Sequence, residues 1–236
     1  MALFNLPTGK NRVLEGAAGH AATLGRKTDI FIALLPELVR TAPVQQELTV
    51  GTGGAAQAAT TITVDETIAT PLPANQFLQF YNLTTGQEYL ARLTADVSSG
   101  SDLTVKALGE AIPAGAITAF PNYLWDRTAA DVDRSYAESV FATFNTGGDE
   151  DGVSTGSSKT IALPGQFYRK NAGYLTALWA AENGREVWVQ RVINGVLDIE
   201  GPCGVTAAPS ASPVAGSVSA DLTLKFRGKA SEGLLA

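Results

Sequence analysis

One histidine, one cysteine and one short acidic run are the places where this 236-residue chain could do chemistry. His20 sits in a Gly-Ala-Ala-Gly-His-Ala-Ala setting. A general base or a metal ligand works with company, and no second histidine or cysteine stands anywhere to supply it, so His20 is not read as catalytic. Cys203 has no partner for an internal disulfide and reads as a small buried apolar residue. The acidic run Asp149-Glu150-Asp151 is followed by Gly152, which superficially suggests a cation site. A calcium loop needs alternating ligands over a dozen residues and a closing glutamate, and neither is present. The run is instead expected in a polar, exposed loop, Gly147 to Ser158. In a ring of identical copies, such a loop would concentrate negative charge wherever it points.

The remaining motifs are weaker. Gly51-Thr52-Gly53-Gly54 lacks the Gly-Lys-(Ser/Thr) ending of a phosphate loop, and Gly9-Lys10 has no glycine five residues upstream. Asn82-Leu83-Thr84 fits a glycosylation acceptor but reads as a turn. No catalytic, cofactor-binding or metal-binding constellation is expected, and the chain does not read as an enzyme.

The totals narrow the classes. Hydrophobic residues make up 45% and charged residues 17%, which suits a folded chain rather than a disordered one. Seventeen basic against 23 acidic side chains give a net charge of −6, which argues against a basic surface that holds nucleic acid. It leaves open a surface that must repel a polyanion. Met1 to Gly19 has no apolar core of a secretion signal, and Ile30 to Leu35, stopped by Pro36, is too short to cross a bilayer. Synthesis in a reducing cytoplasm and no membrane partner are the expectation.

Several elements have to position whatever surface does the work. Gly173 to Glu182 predicts a helix whose apolar face is Tyr174, Leu175, Leu178, Trp179 and Ala181, ended by Asn183-Gly184. Val187, Val189 and Val192 predict a strand with one irregularity, Asn194-Gly195 a hairpin turn, and Val196, Leu197 and Ile199 the returning strand. Both Trp179 and Trp188 are expected in core packing. Thr28 to Leu35 predicts the first strand of the body, and Thr160 to Leu163 a short strand ended by Pro164-Gly165. Asp131 to Phe144 does not decide between strand and helix. Ala207 to Gly216 reads as a linker, and Ser217 to Phe226 alternates cleanly as a half-buried strand. Met1 to Lys27, rich in glycine and alanine, reads as an arm that orders only by lying on something else; Leu3, Phe4, Leu6, Arg12 and Arg26 are its candidate inter-subunit contacts.

Between Val44 and Trp125 the sequence repeats itself. Thr61-Ile-Thr-Val64 and Thr70-Pro-Leu-Pro-Ala-Asn-Gln-Phe-Leu-Gln-Phe80 match Asp102-Leu-Thr-Val105 and Glu110-Ala-Ile-Pro-Ala-Gly-Ala-Ile-Thr-Ala-Phe120. In each copy proline pre-sets φ, and Asn75 or Gly115 is expected to take the positive φ that follows. Two copies predict a small antiparallel β unit that carries most of the negative excess.

The C-terminal half resembles a bacteriophage tail tube (major tail) protein. The likeness rests on Ala137 to Phe144, the Gly147 to Ser158 loop, the helix, the hairpin Glu186 to Ile199, Gly201 to Thr206, and the closing Ser217 to Gly228. The repeat resembles small β modules attached to phage structural proteins. The resemblance implies a mainly β fold: a β-sandwich or barrel body with one flanking helix, formed by residues 1–43 and 124–236, with residues 44–123 as an inserted β domain. It further implies six copies closing a ring, rings stacking into a conduit for DNA ejection, and a place in the virion tail. Its partners would be other copies of itself, the sheath or terminator and tape-measure proteins, and DNA passing without sequence specificity. Asp149, Glu150 and Asp151 are then candidate lumen residues. A capsid decoration or trimeric spike protein is the alternative that the repeat supports.

Overall fold

The computed structural model describes residues 28–36, 40–124, 130–142, 150–168, 171–193, 196–207, 217–227 and 230–232. The arm with His20, Leu3, Phe4, Leu6, Arg12 and Arg26, and likewise Asp149, Asn194-Gly195 and 208–216, lie outside the described residues. Among the described residues the fold is mainly β with one α-helix, and every strand pairing is antiparallel. No helix among the described residues is long and apolar enough to cross a membrane.

The larger sheet begins with β1 (Thr28–Leu34), which is paired on one side to β11 (Glu186–Ile193) and on the other to the two-residue β8 (Asn122–Tyr123). It continues through β12 (Val196–Ala207), β13 (Ser217–Phe226), β10 (Glu150–Tyr168) and β9 (Asp131–Ala142), with β14 (Ser231–Glu232) beside β12. Alternation decides which side is dry. Ile30, Ile32, Leu34, Val187, Val189, Leu222 and Leu224 fall on one face, and all belong to a single buried cluster. β11 itself runs without interruption against β1, and the irregularity falls on β12: between Arg191 and Val192 the pairing skips Asp198, a β-bulge in which two residues oppose one. Val192 is buried outside this cluster, on the face of Trp188 and Gln190.

The helix α1 (Ala172–Glu182) closes this core. Asn171 caps it by accepting the Tyr174 N–H at 2.9 Å, and the chain turns out through Gly184 at φ +63°. The buried stripe matches the expected one in part: Tyr174 is in the core and Leu178 and Trp179 pack against it. Ala172, Gly173, Tyr174, Thr176, Ala177 and Ala180 are buried, whereas Ala181 is exposed and Leu175, Leu178 and Trp179 are half-buried. Close approach explains this: a Cβ on Gly173 would meet Leu124 Cδ1 at 3.1 Å and the Tyr123 carbonyl at 3.3 Å. Small residues face the sheet because large ones would not fit, and the large ones pack at the flanks.

Elements β2 to β7 leave the sheet after β1 and return at β8, next to where they left. They comprise β2 (Gln46–Thr49), β3 (Thr61–Thr63), β4 (Phe77–Tyr81), β5 (Glu88–Arg92), β6 (Asp102–Thr104) and β7 (Ile117–Phe120). A second buried cluster, from Leu48 to Phe120, belongs to them and reaches the body only at Ala33. The sequence repeat becomes a pseudo-two-fold: β2-β3-β4 is one copy and β5-β6-β7 the other. The copies exchange strands, since β2 pairs with β7 and β4 with β5. On the axis Ile62 stands opposite Leu103. The bridge Val50–Val64 recurs as Leu93–Val105, and Ala55–Ile112 recurs as Val97–Leu72. Asn75 and Gly115 take φ +71° and +74°, as the turn chemistry requires.

Candidate assembly surface

Of the residues singled out for chemistry, His20 and Asp149 lie outside the described residues. Cys203 is fully buried, and burial, reinforced by the Glu186 carboxylate, pushes its thiol well above the usual range. Gly51 to Gly54 forms a turn closed by the Gly54 N–H on the Gly51 carbonyl, and Asn82 Oδ1 accepts the Thr84 and Thr85 N–H groups of a local turn. Among the described residues no group of three His, Cys, Asp or Glu side chains could hold a metal ion.

What the described residues build instead is a two-stranded ribbon at one end of the sheet. The expected loop from Gly147 to Ser158 is corrected from residue 150 onward: Glu150 and Asp151 open β10 and pair with Ala142 and Phe141 of β9. Val140 and Phe141 therefore lie in a strand. Pro164 and Gly165 do not end β10 either. They fall beyond Ala162, its last pair with β9, where β10 is an edge strand paired only to β13, and proline is tolerated at edges. No two-residue alternation of apolar and polar residues marks Glu150 to Ser158 in the sequence.

β13 stops pairing with β10 at Thr160. Beyond that point Arg134–Ala142 and Glu150–Lys159 pair, among the described residues, with each other alone, a two-stranded ribbon about 30 Å long at about 3.3 Å per residue. Ser135 and Ser158 hydrogen-bond across its root at 2.8 Å. One register shift, between Ser154 and Gly156, increases its twist. The other margin is also incomplete. β12 overlaps β13 only through Thr223–Phe226, so Ser217–Leu222 pair with β10 alone among the described residues.

The start of the ribbon is anchored in the body. Arg191 forms an ion pair with Asp198 at 2.5 Å with both side chains largely buried, and its other nitrogen donates to the Ala130 carbonyl directly before β9. A guanidinium fork suits this double duty.

A second constellation joins the inserted module to the body. Gln76, with no exposed surface, accepts the Leu34 N–H at 2.7 Å and donates to the Phe77 carbonyl at 2.7 Å and to Thr176 Oγ1 of α1 at 3.1 Å. Asn122 Nδ2 donates to the same Phe77 carbonyl at 2.7 Å, and the Ala172 N–H donates to Gln79 Oε1 at 3.3 Å. Arg92 lies over Phe77 and Trp179 at 5.6 and 5.9 Å from their ring centres. The pseudo-two-fold shows what was specialised: the counterparts of Gln76 and Gln79 in the other copy are Ala116 and Ala119, whose side chains cannot make these bonds, and Ile117 stands where Phe77 offers its ring to Arg92. Sequence reading missed this joint, although the Gln76/Ala116 mismatch inside an otherwise matching phrase was its visible signal.

No protein-family model matches the chain, and no curated protein matches it.

Proposed function

We propose that the protein is a structural subunit of a phage virion, a tail-tube protein that assembles into stacked rings through which DNA leaves. The ribbon carries this reading. An isolated two-stranded ribbon is marginal in water, and a terminal strand offers a row of backbone groups to any chain that can pair with them. The ribbon of one copy laid on a neighbour's open margin is a head-to-tail contact, and such a contact repeated about an axis closes a ring. Net charge of −6 suits a conduit that must not bind the DNA it passes. The arm, Asp149 to Asp151 and the tail partners belong to the same proposal.

The test removes the ribbon alone. Replacing residues 136–157 with an Asn-Gly turn joins Ser135 to Ser158, which already face one another. The expected product is a folded, monomeric subunit, whereas the full chain forms rings or tubes in electron micrographs. A full chain that stays monomeric at high concentration overturns the proposal, as does a ribbon-less chain that still assembles.

A further inference from the structure

We propose that in the free subunit Arg12 of the N-terminal arm docks its guanidinium on Glu200 and Gln190, on the outward face of β11 and β12. Alternation defines that face. Val187, Val189, Ile199 and Cys203 belong to the cluster that α1 closes, so Trp188, Gln190 and Glu200 lie on the other side. The register sets them in rows. Gln190 stands between Phe31 and Glu200, and Trp188 between Ala33 and Pro202.

Three polar groups on this face are incompletely matched. Glu200 is 7% exposed, and its carboxylate accepts from Gln190 Nε2 at 2.9 Å, but no lysine or arginine among the described residues pairs with it. Gln190 Oε1 and Trp188 Nε1 are buried and have no hydrogen-bond partner among the described residues. A buried carboxylate is costly unless a cation meets it, and an orphaned amide oxygen or indole N–H adds to that cost. What matches all three carries donors in one plane and an acceptor close by. A guanidinium offers its fork to Glu200 and to Gln190 Oε1 together, and it stacks on aromatic rings such as Phe31 and Trp188. The backbone carbonyl of the same arginine accepts from Trp188 Nε1, two positions along β11 from Gln190, about 7 Å away. Its slender stem suits acceptors with so little exposed surface.

Chain length and charge select the arginine. Arg40, Arg92, Arg185 and Arg191 already bind Glu186, Asn75, the Leu35 carbonyl and Asp198. Arg26 stands five positions before Phe31, about 16 Å along an extended chain and beyond the reach of its side chain. Arg12 stands sixteen residues before Thr28. That is chain enough to turn back over the three register steps from Thr28–Ile193 to Phe31–Gln190, about 10 Å. Tethering to β1 holds the arm at an effective concentration on the order of millimolar. From Met1 to Lys27 the charges are Lys10, Arg12, Arg26 and Lys27 against Glu15, and the face they approach carries Asp29 and Glu200.

Trypsin cleavage after Arg12 in dilute full-length protein, followed by mass spectrometry, reads the docking, because the protease must take that same side chain into its own specificity pocket. Glu200→Gln removes the charge and keeps the shape, and Gln190→Leu removes the second acceptor. Each should speed cleavage after Arg12 about tenfold or more. In a double-mutant cycle on the urea midpoint, Arg12→Ala should shift the full chain and leave the midpoint of Glu200→Gln unchanged. A cleavage rate that both receptor variants leave as it was overturns the proposal, as does an equal effect of Arg12→Ala with and without Glu200→Gln. Protection that grows with protein concentration shows a neighbour's arm in the site and overturns docking within the free subunit. Two receptor variants and one in the arm keep the test decisive if one of them fails to fold. None of these readings needs assembled protein, so their failure and the failure of the conduit reading are separate results.

Discussion

Replacing Gln76 with alanine gives it the side chain its repeat counterpart Ala116 already has, and the cost follows from the joint's geometry. The Leu34 N–H loses its 2.7 Å acceptor inside a fully buried site. An orphaned buried donor costs about 1–3 kcal/mol. The bonds from Gln76 Nε2 to Phe77 O and Thr176 Oγ1 disappear as well, at about 0.5–1.5 kcal/mol each. The expected loss is therefore about 2–6 kcal/mol. Two measurements apply. Urea unfolding followed by tryptophan emission should show the loss as a fall in midpoint, because Trp179 sits at the joint and Trp188 in the body. Native-state hydrogen exchange should show the Leu34 amide losing its protection while Val189, central in the β1–β11–β12 ladder, keeps it. A loss under about 1 kcal/mol together with an unchanged Leu34 amide would refute the claim that this one side chain fastens the module to the body.

Four other outcomes follow from single residues. Thr118 is fully buried with no partner for its hydroxyl, in the position that Leu78 fills in the other copy; Thr118→Val should raise stability by about 1 kcal/mol, read from the urea midpoint. Gly115 at φ +74° has open space around its Cβ direction, so Gly115→Ala should cost about 1–2 kcal/mol through backbone strain alone. Ala58, held at φ +64° on an exposed turn, should gain a few tenths of a kcal/mol or more as Ala58→Gly, where relief of strain outweighs the added unfolded-state freedom. The Cys203 thiol has a raised value in the folded chain, so its contribution is complete below the unfolded value of about 8.5 and falls as pH rises above it. Thermal midpoints should therefore drop on the alkaline side and drop less in Cys203→Ala; equal slopes would show that the thiol is not the cause.

The legible parts of the fold are those where one face is buried and the period shows. β13 reads directly because Leu222, Leu224 and Phe226 alternate with exposed Asp221 and Lys225. The turns at Asn75 and Gly115 read because few residues accept a positive φ. The helix was placed correctly along the chain and only partly in rotation, with Tyr174, Leu178 and Trp179 turned to the core but Leu175 and Ala181 not. Amphipathic reasoning puts large apolar groups inward, whereas this helix is pressed close enough to its neighbours that Gly173, Ala177 and Ala180 are what fits. The ribbon was not legible because Glu150 to Ser158 carries no apolar–polar alternation and is rich in the polar and glycine residues of a loop. β2 and β5, the first strands of the two copies, share no aligned residues and need only Leu48 and Ala91 turned inward. The joint required tertiary knowledge, since Leu34 and Gln76 are 42 positions apart.

The central claim is that these chains complete one another, and direct imaging of the purified full-length protein at high concentration tests it most simply. Rings of six copies stacked into open tubes are the predicted result. Monodisperse single subunits under the same conditions would contradict it.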